Sequence, residues 1–350
     1  MESYFPEIRL PDLTAEGTPR EIGLALGRHA AHSIQHCLSH RLTMDLRQWG
    51  GTARLAAIVA AGRFQFPEAY LELEGLADGA DVNFNDIVLL NCAGDLPLRE
   101  PLVDSGCTTL MVPGDRNASL PALILHNEDA ALTAPTPWFL ARIRPAGKPA
   151  FTSFCYAGKL PGTAFSVTDC GLVQTINDVR PLEPPVGAPR VFLARTILGC
   201  ESSDAALSLI RSTQRAGGYH HAIGCAGDGR LYSVEAPGAA VISRDVTQSM
   251  AHSNHFNYAP LRSVPQHVVA GSWSRQMFAD EQLNCARSSP ILSLRTADSR
   301  GRTLFQLPSL HNAWHKTLAT AAFELQQRGV SWRCMVDENE DLVSGQVTIE

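Results

Sequence analysis

The sequence predicts an α+β fold in which antiparallel sheets are covered by helices. Three observations carry that expectation: a helical N-terminal third, a series of short hairpins that begins at Cys107, and a helical stretch between the second and third hairpins. Hairpins segregated from helical pairs bury their apolar faces as stacked layers rather than as alternating β-α-β units.

The elements follow in order. "TPREIGLALGRHAAHSIQHCL" opens with Thr18, carries Pro19 at the first helical position and Glu21 three residues after the threonine. That is a capping box followed by helical apolar spacing. "FPEAYLELEGLADGA" predicts a second helix, started by Pro67. From Cys107 the pattern changes: "CTTLMV", the turn region "PGDRNASL" and "PALILHN" predict a hairpin. "TAFSVTDCGLVQTIND" predicts a second around Asp169 and Gly171. "HHAIGCAGDGRLYSVEA" predicts a third at Gly227-Asp228-Gly229, and "SWRCMVDENEDLVSGQVTIE" a fourth. Between the second and third, "PRVFLARTILGCESSDAALSLIRSTQRAGG" predicts two helices, the latter capped by Ser203 and ended by Gly217-Gly218. No internal repeat or low-complexity linker divides the chain, so one domain is expected.

Composition narrows the function classes. A chain of 350 residues that is 45% hydrophobic and 18% charged has the material for a large core. Its net charge of −6 provides no broad basic field, which argues against nucleic acid and for small molecules or peptides as partners. The start, "MESYFPEIRLPDL", has acidic residues and prolines where a signal peptide has a basic region and an apolar run. The apolar stretches "LAAIVAAG" and "DIVLLNCAG" fall short of the roughly 20 residues a membrane span needs. Nine cysteines without a CxxC pair read as reduced thiols. Together these predict a cytoplasmic protein without a membrane partner.

Cys107 stands at the head of its strand. With a turn centred near Asn117, it faces about residue 127, which gathers "HNED" (His126 to Asp129) beside a thiol. Cysteine is a strong nucleophile but needs a base. The α-amino group of a freed N-terminal cysteine, with a pKa near 8, is such a base. Gly106 gives the thiol close access to the preceding carbonyl, and Thr108 and Thr109 supply hydroxyls nearby.

On these residues the chain resembles the acyl-coenzyme A:6-aminopenicillanic acid acyltransferase (isopenicillin N acyltransferase) family of autoproteolytic N-terminal-nucleophile cysteine hydrolases. The resemblance runs through "GCTT" and "HNED", the lead-in "FPEAYLELEGLADGADVNFNDIVLLN", "YAGKLPGTAFSVTDCGLVQTIN", "PRVFLARTILGCESSDAALSLI" and "HSNHF" at 252–256. It implies a four-layer αββα sandwich of two antiparallel sheets covered by helices. It also implies cleavage between Gly106 and Cys107 into a small subunit, 1–106, and a large one, 107–350, that stay together as a heterodimer. Cys107 would be the nucleophile and its amine the base. Asp129 would order that amine, and Asn254 would donate to the oxyanion. Thr108, Thr109, Asn127, Glu128 and His255 would support the site, with Ser274 and Arg275 near the substrate. The substrate would be a small amide, a peptide-like amide or an acyl thioester such as acyl-CoA, with no metal or cofactor. Ala130 and Thr168 depart from residues common in the family and bear on substrate fit.

Two other readings compete. A non-catalytic αββα scaffold would have no use for the cysteine, aspartate and asparagine together. A histidine-based metal hydrolase would use His311 and His315, with His252 and His255, but Asn312 stands where such a motif has its general base.

Overall fold

The computed structural model describes residues 12–39, 46–97, 106–115, 120–131, 137–269, 271–284, 294–307, 315–336 and 341–349. The turn around Asn117, the lead 98–105 and His311 lie outside these residues, as does the side chain of His315. No helix among the described residues is long and apolar enough to cross a membrane.

The chain begins with β1 (Leu13–Gly17), followed by α1 (Pro19–His29), α2 (Ala31–Ser39), α3 (Ala53–Gln65), α4 (Pro67–Ala80) and α5 (Phe84–Cys92). The predicted capping box is present: Thr18 Oγ1 accepts from the Glu21 amide, and the Glu21 carboxylate accepts from the Thr18 amide at 2.8 Å. The helix predicted to follow it is interrupted at Ala30, which ends α1 before α2 starts. Helices α1 and α4 touch backbone to backbone. A Cβ on Gly23 would lie 1.9 Å from the Glu72 carbonyl oxygen, and one on Gly75 2.2 Å from that of Arg20, so only glycine permits the approach.

Two sheets follow. The nine-stranded sheet runs β1, β4 (Trp138–Pro145), β5 (Phe151–Tyr156), β6 (Phe165–Thr168), β7 (Leu172–Pro181), β8 (Gly218–Cys225), β9 (Leu231–Pro237) and β10 (Ile242–Asp245), with β12 (Gln266–His267) on the far end of β7. The six-stranded sheet runs β11 (Met250–His252), β2 (Cys107–Val112), β3 (Ala122–Ala131), β13 (His315–Gln326), β14 (Gly329–Val336) and β15 (Asp341–Thr348). All four predicted hairpins form. The expectation of antiparallel sheets is departed from at one edge, where β1 pairs parallel with β4; the two are far apart in the chain, so no hairpin turn imposes the antiparallel direction.

Helices α6 (Arg190–Ile197) and α7 (Ser203–Ser212) occupy the predicted helical stretch. The cap of α7 is Ser202 rather than Ser203. Ser202 has the extended backbone a cap requires, and its Oγ accepts from the Ala205 amide at 3.2 Å. The helix also ends at Ser212, ahead of Gly217-Gly218, because Gly218 already belongs to β8. A further helix, α8 (Ser272–Asn284), lies against the six-stranded sheet.

Three buried cores separate four layers. Ile22, Leu73, Leu76 and Phe192 from the helices meet Phe151, Ile176, Ile223 and Val234 on the outer face of the nine-stranded sheet. Phe154, Phe165 and Val173 on its inner face meet Met111, Ile124 and Phe323 of the other sheet. Leu110 and Leu125, on the outer face of that second sheet, meet Phe278 and Ala279 of α8 together with Leu294 and Leu304. The fold is an αββα sandwich. Each fully buried phenylalanine in these cores contributes about 2 to 3 kcal/mol.

Candidate active site

The site lies at the end of the hairpin formed by β2 and β3. Its register pairs Cys107 with Glu128, Thr108 with Asn127 and Thr109 with His126. This corrects the expected partner of Cys107 by one residue: the loop centre falls between 117 and 118. Because side chains alternate along a strand, one residue decides which half of "HNED" faces the thiol. Cys107, Thr109, His126 and Glu128 point between the two sheets. Thr108, Asn127 and Asp129 point toward α8.

On the inner face the Cys107 thiol donates to Glu128 Oε2 at 3.6 Å. The same carboxylate oxygen lies 2.9 Å from His126 Nε2, and Glu128 Oε1 accepts from the Tyr156 hydroxyl at 2.5 Å. His126 Nδ1 lies 2.8 Å from Thr109 Oγ1, whose hydroxyl donates to Asn177 Oδ1 at 2.8 Å. The chain of polar groups continues across the nine-stranded sheet. Asn177 Oδ1 accepts from His220 Nδ1 at 3.0 Å, and His220 Nε2 meets Ser233 Oγ at 2.7 Å. His220 stacks on His252 with centroids 3.6 Å apart, and His252 Nε2 meets Glu235 at 2.9 Å. All of these groups are buried. Burial, reinforced by the negative field of Glu128 and Asp129, pushes the Cys107 thiol well above its ordinary range. Burial also holds His220 well below its own, so that ring is neutral.

The backbone of Cys107 is gripped from the other side. Strand β11 lies along β2 and ends at His252 opposite Thr109, which delivers Asn254 to Cys107. Asn254 Oδ1 accepts from the Cys107 amide and from Arg275 Nη2, both at 2.8 Å. Its Nδ2 donates to the Asp178 carbonyl at 3.1 Å. Two donors on one end and an acceptor on the other fix the amide's orientation, and one Nδ2 hydrogen is left over. Arg275 Nη1 donates to the Cys107 carbonyl at 2.6 Å and to Thr108 Oγ1 at 2.9 Å. The guanidinium also packs on Gly106, where a Cβ would lie 2.5 Å from Nη2. The Gly106 carbonyl accepts from the Asp129 amide at 2.8 Å.

The remaining sequence-predicted residues divide. The Asp129 carboxylate is on the outer face, where Oδ1 accepts from Thr317 at 2.6 Å and Oδ2 has no partner among the described residues. Burial pushes it up to about 6, against the lowering field of Arg275. Asn127 is framework: it donates to the carbonyls of Leu294 and Leu304 and accepts from Thr320. His255 is buried on Ser272 Oγ at 2.8 Å and lies against Trp273. Ser274 is exposed and donates to the Gly271 carbonyl, so it does not join the cluster, while its neighbour Arg275 is central to it. The metal-helix spacing of His311 and His315 is corrected, because His315 opens strand β13. Sequence reasoning assigns Tyr156 and Asn177 no role and takes His220, with His221, as a structural or pocket-lining residue leading a strand; the packing of one sheet on the other joins all three to the polar network that reaches Cys107.

Comparison with known proteins adds two matches. Residues 116–339 match the family model "Acyl-coenzyme A:6-aminopenicillanic acid acyl-transferase", a span that starts nine residues after Cys107. Over 225 residues the chain is 30% identical to the beta-alanyl-dopamine/carcinine hydrolase of Drosophila melanogaster, covering 58% of this chain and 57% of that protein.

Proposed function

From the chain's membership of the acyl-coenzyme A:6-aminopenicillanic acid acyltransferase family, which the match over residues 116–339 establishes, we propose that it is a self-processing cysteine enzyme acting on amides. In the intact chain the Cys107 sulfur attacks the Gly106 carbonyl carbon, and Glu128 takes the thiol proton. The Asp129 amide, already on the Gly106 oxygen, holds the charge that develops there. The Gly106–Cys107 nitrogen leaves with a proton as the new α-amine, and water hydrolyses the resulting thioester. Residues 1–106 and 107–350 become the two subunits of one sandwich.

The freed amine sits where Asn254 Oδ1 now accepts from the Cys107 amide, and it serves as base for the thiol in turnover. The thiolate attacks a substrate carbonyl, and the uncommitted Nδ2 hydrogen of Asn254 donates to the oxyanion. Asp129 orders the new terminus through its backbone and its charge. An acyl-enzyme forms: water makes the outcome hydrolysis, and an amine makes it transfer. The hydrolase name of the fly relative favours water and a small amide substrate, with an acyl thioester such as acyl-CoA as the alternative donor.

The observation that carries the reading is the triple hold on Cys107: thiol on Glu128, amide on Asn254, and preceding carbonyl on the Asp129 amide. Intact mass and N-terminal sequencing test it. The expected result is two pieces, the second beginning at Cys107, with the Cys107→Ala chain whole and inactive on amides. A wild-type chain that stays whole, and a Cys107→Ala variant that hydrolyses amides at the wild-type rate, would overturn it.

A further inference from the structure

The side chains of Cys107, His126 and Glu128 each offer one ligand atom, all within 4.8 Å of one another and all buried. Zinc in a tetrahedral site, bound at about 2.0 to 2.3 Å, sets its ligand atoms roughly 3.3 to 3.7 Å apart. The sulfur and Glu128 Oε2 are already 3.6 Å apart, and His126 Nε2 and Oε2 at 2.9 Å need open only slightly.

The hydrogen bonds behind the cluster point the same way. The Thr109 hydroxyl has one hydrogen and gives it to Asn177 Oδ1, so toward His126 it accepts. His126 Nδ1 therefore carries a hydrogen, and Nε2 turns toward the Glu128 carboxylate at 2.9 Å, a contact that needs a proton or a cation between the two atoms. An imidazole fixed through Nδ1 and a carboxylate fixed by the Tyr156 hydroxyl are the outer partners that ligating histidines and carboxylates have in metal sites.

We propose that this cluster binds a thiophilic divalent cation, zinc, through Cys107 Sγ, His126 Nε2 and Glu128 Oε2, and that the bound ion holds the cysteine inactive. A thiolate, a carboxylate and a neutral imidazole balance the charge of Zn²⁺ without a net buried charge. The ion replaces two protons, one from the thiol and one from between His126 and Glu128, and both leave to solvent. A sulfur whose lone pair is on zinc does not attack the Gly106 carbonyl, so self-cleavage waits for the ion to be removed. The binding site stands on the geometry alone, whereas the arrest rests on the proposed self-cleavage.

Cobalt titration of the full chain separates the two. Partly exposed Cys170 and Cys200 are changed to serine beforehand so that they do not compete. The expected result is one equivalent of Co²⁺ bound with a thiolate-to-cobalt absorption band and displaced by Zn²⁺. The band is lost in Cys107→Ser, and the midpoint is raised at least tenfold in His126→Gln and in Glu128→Gln. Thr109→Val, which leaves the ligands in place but frees His126 Nδ1, raises it about tenfold. Absence of the band in the wild type, or an unchanged midpoint in these variants, would overturn the site. In parallel, saturating Zn²⁺ is expected to stop the appearance of the two pieces and a chelator to restore it. Cleavage at full rate with the cobalt band present would overturn the arrest.

Discussion

The two faces of the β2–β3 hairpin carry the same kinds of residue to different ends. Inward, Glu128 is surrounded by a thiol, an imidazole and a phenol, all groups that share or move a proton. Outward, Asn127 and Asp129 meet backbone carbonyls and two threonine hydroxyls, none of which gains or loses its own proton at neutral pH. The difference teaches that "HNED" is not one functional string. Strand period splits it into an inward pair, His126 and Glu128, whose side chains meet the thiol's network, and an outward pair, Asn127 and Asp129, whose side chains meet the framework.

The sharpest way to break that comparison is to neutralise the inward carboxylate. Glu128→Gln keeps the volume and the Tyr156 contact but removes the acceptor of the thiol proton. Self-cleavage is expected to slow by about a hundred- to a thousandfold, the usual worth of a positioned base, with the fold retained. The rate of appearance of the 107–350 piece on a denaturing gel measures it. Cleavage at the wild-type rate would assign the proton to another group.

The outward partner should fail differently. Asn127→Ala strands the Leu294 and Leu304 carbonyls and the Thr320 hydroxyl without their partner, at a cost of about 3 kcal/mol. Denaturant unfolding should show that loss while the cleavage rate of the folded fraction stays within about twofold. A collapse of cleavage without loss of stability would put Asn127 in the chemistry and undo the division.

Asp129 sharpens the comparison through pH. Its carboxyl is held up at about 6 by burial, against an ordinary value of 3.8. The folded chain therefore binds this proton more tightly than the unfolded chain does. The resulting stability is fully present below about pH 4 and is lost as pH rises through about 6. At 1.36 kcal/mol per unit the loss is at most about 3 kcal/mol. In Asp129→Asn it is absent, so the wild type should lose stability relative to the variant between pH 4 and pH 7. Unfolding midpoints at both values for both proteins, compared as differences so that other titrating groups cancel, check the sign. A pH-independent difference would mean that Arg275 alone neutralises the carboxylate.

Local order was readable in advance and distant order was not. The capping box of α1, the four hairpins and the helical pair all rest on neighbours within a few residues, so their signals survive in the bare chain. The register of β2 and β3 was nearly readable, but a turn centre half a residue away turns every side chain over, and so Glu128 rather than residue 127 meets the thiol. "HSNHF" points to Asn254, which does reach the Cys107 amide, and His220 reads with His221 only as structural or pocket-lining, whereas Tyr156 and Asn177 are silent. Each is an ordinary strand residue until one sheet packs on the other.

The smallest expected effect comes from Ser274, where the same division recurs on a helix. Ser274 and Arg275 are adjacent in sequence, but consecutive residues on a helix point about 100° apart. Arg275 turns into the protein to grip the Cys107 carbonyl and Asn254, and Ser274 turns out to solvent with its hydroxyl on the Gly271 carbonyl. Ser274→Ala should therefore change stability by less than about 0.5 kcal/mol and leave cleavage untouched. Arg275→Lys keeps the charge but not the fork that holds three oxygens, and should slow cleavage while Ser274→Ala does not. Steady-state kinetics on an amide substrate decide the remaining point. A raised KM in Ser274→Ala with kcat unchanged would place Ser274 on the substrate and restore the pair that the sequence suggested, and an unchanged KM leaves Arg275 as the half that matters.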